Sequence, residues 1–286
     1  MDVADENPGY DRDATGAGVA VVTGGASGIG FALAAALGAR GQHVLIADRD
    51  EQALAAAATQ LRDLGLRVQT HAVDVRNRSS LAELADSARA LGRIDTVCMN
   101  AGVTSTGSTL WDTTDETFDF VMSVNLGGLQ NSIRALVPPL VDQGTPADIV
   151  ITASMAGIVA SGYSGAYGAS KAGAVALAKA LRAEVAVAAP FIHVALLNPG
   201  MVRTNLIRTS ATSAPESAAL PEELVEGGHR VLNEAGVAPA AVAADVLDAL
   251  AHKRFWVLPH EGDPFVTMLD SEMTELSEAL AADRDR

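Results

Sequence analysis

Residues 19–30 read Val-Ala-Val-Val-Thr-Gly-Gly-Ala-Ser-Gly-Ile-Gly, and this stretch decides the fold. Val19–Thr23 is a short apolar run of β-branched residues, the pattern of a strand buried on both faces. Gly24–Gly30 follows as a glycine-rich turn, and Phe31–Arg40 has helical composition. Glycines at 24, 28 and 30 let the chain turn sharply from strand to helix. They also let an anion approach free N–H groups at the helix N-terminus, where the helix dipole favours negative charge. Gly24, Ser27, Gly28, Ile29 and Gly30 are therefore candidates for holding a phosphate group. A glycine turn alone is weak evidence, but its place between the first strand and the first helix strengthens it.

The same alternation continues outward. Strands are predicted at His43–Ala47, Val68–Val73, Thr96–Met99, Asp148–Ala153, Ile192–Leu197 and Phe255–Leu258. Helices are predicted at Glu51–Leu64, Ser80–Leu91, Glu116–Val141 (ending near Pro138 and Pro139), Ala169–Ala188, Ala240–Leu250 and Thr267–Ala281. Strands alternating with helices imply right-handed crossovers. The fold class is therefore α/β, a Rossmann-type doubly wound parallel sheet with helices on both faces. Residues 1–16 read as a flexible acidic leader, 17–262 as one domain and 263–286 as a C-terminal extension. Asn205–Glu226, rich in Ser, Thr, Ala, Pro and Glu, reads as an irregular substrate loop or lid.

Composition sets bounds. Of 286 residues, 49% are hydrophobic but only 4% aromatic, so the core must be built from Ala, Val, Leu and Ile. A net charge of −15 argues against a nucleic-acid partner, which needs a basic footprint. The single cysteine, Cys98, lies in the mostly apolar run Ile94–Met99 and reads as a small core residue. No Cys/His cluster has metal-ligand spacing, so no metal is assigned. No apolar stretch has membrane-spanning length, and the N-terminal residues lack a signal-peptide pattern, so no membrane partner and a cytoplasmic location are expected.

In an open parallel sheet, ligands bind at the C-terminal ends of the strands. Asp48 ends the second strand, eighteen positions after Gly30, where a carboxylate can accept from an adenosine ribose and repel a 2′-phosphate. It points to NAD rather than NADP, although Arg49 beside it could accommodate that phosphate. Asp74-Val75 and Asn100-Ala101-Gly102 fall at the ends of the third and fourth strands. Asp74 can bond an adenine amino group, or simply cap a helix.

Tyr167-Gly168-Ala169-Ser170-Lys171 carries the chemistry. At i and i+4 on a helix, phenol and ammonium share one face. The ammonium is expected to favour phenolate and bring the Tyr toward working pH. Ser154, thirteen residues upstream, can hold a substrate oxygen beside the phenol. Asn125, a poor residue for the interior of a long helix, can fix a water joining Lys171 to solvent.

Together these residues resemble the classical short-chain dehydrogenases/reductases, from about Gly18 to Leu258. Thr23–Gly30 is similar to that family's TGxxxGxG turn. Asn100-Ala101-Gly102 matches three of the four residues of its NNAG motif, with Met99 replacing the first Asn, and a slightly altered fourth strand is expected there. Asn125, Ser154, Tyr167 and Lys171 match its catalytic tetrad in order and spacing. Pro199-Gly200, with Val202 and Thr204, matches the segment that holds the nicotinamide carboxamide. The resemblance implies NAD-dependent interconversion of a secondary alcohol and a ketone, with Tyr167 moving the proton, Lys171 holding the nicotinamide ribose, Ser154 orienting the reacting oxygen and Asn125 supporting a proton relay. A homodimer or homotetramer is implied, with apolar stretches at Gly127–Val141 and Ala172–Ala188 as the associating surfaces; burial of those faces in the core is the competing reading. Met155, Tyr163, Met201 and the segment from Leu206 to about Glu226 are the expected substrate walls, with Val103, Thr104 and Trp111 opposite, favouring an apolar, cyclic or aromatic substrate. An NADP-dependent carbonyl reductase, a non-catalytic nucleotide sensor and an epimerase or dehydratase on the same fold are the alternatives.

Overall fold

The structure, a computed structural model, describes residues 18–105, 107–215, 221–259 and 262–284. The expected leader at 1–16 lies outside the described residues. Seven strands form one sheet: β1 (Val19–Thr23), β2 (His43–Asp48), β3 (Val68–Ala72), β4 (Ile94–Met99), β5 (Ala147–Thr152), β6 (Ile192–Leu197) and β7 (Trp256–Val257). Their order is β3-β2-β1-β4-β5-β6-β7, and every neighbouring pair is parallel. The order reverses between β1 and β4, which opens a crevice at their C-terminal ends.

Helices cover both faces. The helices α1 (Gly28–Ala39), α2 (Glu51–Asp63) and α9 (Pro239–Ala251) close one core around Leu33, Ile46, Leu61 and Leu250. The other core gathers Leu84, Ile94, Leu136, Leu140, Ile149 and Ile151 beneath α3 (Arg78–Leu91), α5 (Gly128–Gln143) and α6 (Gly165–Ala188). Alanines at 34, 57, 58, 174 and 178 are buried and let these helices sit close to the strands. Cys98 is fully buried, and burial pushes its thiol up to about 12, which makes it a packing residue. Leu129, Leu136, Val137 and Leu140 of α5 and Ala174, Val175, Leu181 and Val185 of α6 are buried, whereas Val141 and Val187 stay exposed.

Several boundaries differ from the sequence reading. Helix α1 begins at Gly28, inside the glycine turn. The stretch expected as one helix from Glu116 is α4 (Asp115–Met122), a π-turn (Ser123–Gly127) and α5. Pro138 and Pro139 do not end it; Gly144, at φ +66, does, in the left-handed conformation that glycine adopts without steric cost. The segment expected to be irregular contains α7 (Leu206–Ser213) and the start of α8 (Glu222–Ala235). Ser and Thr suggest a loop, but here Thr209, Ser210 and Thr212 turn their hydroxyls onto carbonyls four residues back and continue the helix. Met99 leaves β4 unaltered, pairing in register with Thr23 and Ile151 because its side chain is buried in the core like its neighbours.

The short edge strand β7 is shielded by cations, with Lys179 over the Trp256 ring at 5.2 Å and Arg182 over the Phe255 ring at 4.6 Å. The C-terminal helix α10 runs Pro264–Arg284, longer than expected, with Met273, Leu276 and Leu280 exposed. No helix among the described residues is long and apolar enough to cross a membrane.

Candidate active site

A cavity of about 610 Å³ lies at the C-terminal ends of the strands and runs from Asp48 and Asp74 at one end to Tyr167 and Lys171 at the other. The glycine turn forms one wall. Gly24 and Gly28 take φ of +65° and +53°, a region closed to most side chains. Gly30 lies beneath, where an added Cβ would come within 2.1 Å of the Gly24 carbonyl oxygen. Ser27 is the N-cap of α1, yet its side chain makes no cap bond; with Gly28 and Ile29 it lines the cavity beside the free N–H groups of that first turn. Behind the turn, Thr23 Oγ1 accepts from the N–H of Asn100 at 3.0 Å, and Asn100 Nδ2 donates to the carbonyls of Thr23 and Gly24. Asn100 thus pins β4 to the turn, and Ala101 and Gly102 continue along the wall.

Asp48 Oδ2 accepts from Ala26 N at 3.3 Å, and its Oδ1 accepts from Arg49 N at 2.8 Å. The carboxylate is thereby held against the cavity, and Arg49 lines the same end. Asp74 and Val75 lie close by. Both Asp74 oxygens accept from Arg76, and this pairing holds the carboxyl below its ordinary range. Sequence reasoning missed Arg76, whose only signal was a charge two positions away.

Pro199 and Thr204 line the cavity, but Gly200 and Val202 do not. Gly200 packs against the carboxylate of Asp263, which also accepts from Met201 N at 3.2 Å. Val202 is buried and bridges to Val237. Both stitch the segment to the chain behind it.

At the chemical end, Tyr167 and Lys171 lie one turn apart on α6 and both line the cavity. Ser154, behind the cavity lining, accepts from Ala156 N at 3.1 Å, and its hydroxyl lies near enough to the Tyr167 phenol to lower it. Lys171 Nζ donates to Thr152 O at 3.1 Å and lies 5.8 Å from the Tyr167 ring centroid. The electrostatics differ from expectation. Burial raises the Tyr167 phenol, with the bond to Ser154 as the opposing influence, and burial lowers Lys171 to about 8. Desolvation by the surrounding protein is the largest influence on each group.

Asn125 sits in the π-turn, where Gly128 N reaches back to Ser123 O. Its Oδ1 accepts from Val103 N at 2.8 Å, and its Nδ2 donates to Val103 O at 2.8 Å and to Ser170 Oγ at 2.9 Å. Its side chain thus clamps the chain after β4 and ties it to the catalytic helix. Of the expected substrate walls, Leu206 lines the cavity. Met155 is fully buried and cannot, because the 3-10 turn at Met155–Gly157 packs it inward. Tyr163 is exposed, at φ +62, outside the lining, and Met201 is half-buried behind Pro199. Thr209, Thr212 and Ser213, within the segment expected as a substrate wall, line the cavity from α7.

The residues present fit a dinucleotide. The glycine cradle leaves room where a Cβ would clash, a helix N-terminus faces it, and Thr152 Oγ1, on the cavity wall, is buried with no hydrogen-bond partner among the described residues.

Known proteins agree with this architecture. The short chain dehydrogenase profile matches residues 18–214. The chain is 37% identical over 240 residues to 1-deoxy-11-beta-hydroxypentalenate dehydrogenase of Streptomyces exfoliatus, covering 83% of this chain and 81% of that one. Its fold is similar to that of a short chain dehydrogenase/reductase from Burkholderia phymatum in complex with NAD, at TM-score 0.84 and 31% identity, covering 92% of this chain and 95% of the other. It is also similar to a variant of actinorhodin polyketide ketoreductase with NADPH, at TM-score 0.72 and 28% identity, covering 86% and 97%. The match runs through both the nucleotide half and the catalytic helix, and the chain therefore belongs to the short-chain dehydrogenase/reductase family, as an oxidoreductase acting on hydroxyl-bearing carbons.

Proposed function

We propose that the protein interconverts a secondary alcohol and a ketone with NAD, on an apolar or cyclic/aromatic substrate. The observation that carries this reading is Tyr167 and Lys171 one helical turn apart on the cavity wall, with the Lys171 ammonium 5.8 Å from the Tyr167 ring centroid. In the oxidation direction Tyr167, as phenolate, accepts the hydroxyl proton, while Ser154 holds the same oxygen. Bound NAD would supply the hydride acceptor, and Lys171 and the glycine turn would hold it. In the reverse direction the Tyr167 phenol returns the proton to the carbonyl oxygen. Val103, Ala153, Leu206, Thr209 and Thr212 of the cavity lining are apolar or weakly polar, which supports an apolar substrate.

Asp48, tied to the glycine turn, supports NAD. Arg49 on the same wall supports a second reading, in which NADP serves a carbonyl reductase. The relative from Streptomyces exfoliatus is, by its name, a dehydrogenase of a hydroxy compound, which supports a hydroxyl-bearing substrate here. A cytoplasmic homodimer or homotetramer completes the proposal, with exposed Val141 and Val187 on α5 and α6 as its support. The test is nicotinamide absorbance followed over a panel of secondary alcohols and ketones, with NAD and NADP side by side. Net NADH formation from an alcohol is expected. Turnover of none of the panel would overturn the reading, as would stronger activity with NADP for its cofactor part.

A further inference from the structure

Helix α7 forms part of the cavity wall through Leu206, Thr209 and Thr212, while Ser210 on the same helix is buried. Helices α7 and α8 belong to one excursion of the chain. It leaves and returns through a stem at Val202 and Val237, closed by Arg203 N to Val237 O at 2.9 Å and Val237 N to Met201 O at 3.0 Å. Away from this stem, Ser210 Oγ accepts from the backbone N–H of Thr104 at 2.8 Å and donates to Leu206 O at 2.6 Å. Among the described residues, the other side-chain hydrogen bonds of α7 run within it, to Asn205, or to Glu226 of α8, and so stay inside the excursion. Thr104 is not an arbitrary anchor. Its neighbour Val103 is gripped at both N–H and C=O by the Asn125 side chain, which also bonds Ser170 on the catalytic helix.

We propose that Ser210 is a positioning residue, a latch that holds α7 down over the reacting end of the cavity by capturing the Thr104 amide. Lid and catalytic helix then share one short piece of chain: Asn125 fixes Val103 from one side, and Ser210 fixes Thr104 from the other. A closed lid keeps Leu206 and Thr209 against the substrate and excludes water from Tyr167. The role rests on the reading that an alcohol binds beneath α7.

The experiment compares wild type with Ser210→Ala by hydrogen exchange, read by mass spectrometry without substrate or cofactor, and by steady-state kinetics. In Ser210→Ala, exchange at residues 103–105 and 206–213 is expected to quicken about tenfold, the effect of losing one buried hydrogen bond, while α6 keeps its protection. KM for the alcohol is expected to rise by about the same factor with kcat within about threefold, the sign of lost substrate holding. Ser210→Thr, which keeps the hydroxyl, is expected to restore both. Unchanged exchange at 103–105 would overturn the latch. So would unchanged KM, which would leave Ser210 only its bond to Leu206 within the helix. If Ser210→Ala does not fold, Ser210→Cys, close in size but a poorer acceptor, is read in the same way. A wild type that oxidises no alcohol would overturn the functional reading instead, and the exchange measurement reads the latch independently of it.

Discussion

Lys171 Nζ donates to the carbonyl of Thr152 and stands 5.8 Å from the ring centroid of Tyr167, so the two groups share one stretch of the cavity wall. Each disfavours its own charged form there, and their pKa values move in opposite directions from their ordinary values. This arrangement favours chemistry over stability.

Lys171→Met is expected to abolish most activity and yet to raise stability at pH 7. Lys171 falls from 10.5 to about 8 on folding, so its charged form is penalised in the folded state. The sign follows from linkage. Below pH 8 both states hold the proton and the folded state carries the full penalty, up to roughly 3 kcal/mol less the lost bond to Thr152. Between pH 8 and 10.5 the unfolded chain holds more protons, so wild-type stability rises relative to the variant and the difference closes. Thermal melts of both proteins across that range check it. A variant less stable than wild type at pH 7 would show that the Thr152 bond outweighs the charge.

Tyr167→Phe removes the group that moves the proton. Its kcat/KM is expected to fall roughly a hundred- to ten-thousandfold, the usual range for a positioned acid/base, with NADH binding by fluorescence little changed. Activity kept within a small factor would mean that another group moves the proton.

The Tyr167 phenol is raised by burial, so oxidation is expected to quicken with rising pH as phenolate forms. The bond from Ser154 lowers the phenol. Ser154→Ala should therefore move the alkaline rise of kcat/KM to higher pH as well as weaken activity. A fall in activity with an unmoved profile would restrict Ser154 to holding substrate.

Asp48→Ala removes a carboxylate fixed by Ala26 N. The NAD to NADP preference, read as a ratio of kcat/KM values, is expected to drop about tenfold or more, the worth of a hydrogen bond to a charged group. An unchanged ratio would assign the choice to Arg49.

Removing the residues after Thr267 tests whether the C-terminal segment is an extension. Met273, Leu276 and Leu280 are exposed, so their loss empties no core. Tm is expected to stay within about 4 °C, the shift that roughly 1 kcal/mol produces in a protein of this size. A larger fall would make α10 part of the folded unit.

Much of the fold was legible because parallel strands and glycine turns leave local marks. Val19–Thr23 is buried at every position, and the turn after it admits few side chains. The Tyr167–Lys171 pair was legible because helical spacing alone puts both on one face. What escaped depended on contacts between distant segments. Met155 reads as a flexible wall residue but is turned into the core by the 3-10 turn after Ser154. Asn125 stood out as a misfit in its helix, yet its partners Val103 and Ser170 lie 22 and 45 positions away. Ser210 was hidden by composition, since a Ser- and Thr-rich segment reads as loop until its hydroxyls find carbonyls.

The π-turn at Ser123–Gly127 gives the long helix a problem of arithmetic. Five residues there do the angular work of about four, because each residue of a regular helix advances it by about 100°. Deleting one residue between Ser123 and Gly127 would let the helix close regularly. Everything after it would then keep its phase on the sheet only if Asn125 gave up its place under Val103. If Asn125 stayed, Leu129, Leu136 and Leu140 would swing out of the core. The surplus residue works as a spacer, keeping the phase of the clamping asparagine separate from that of the packing face.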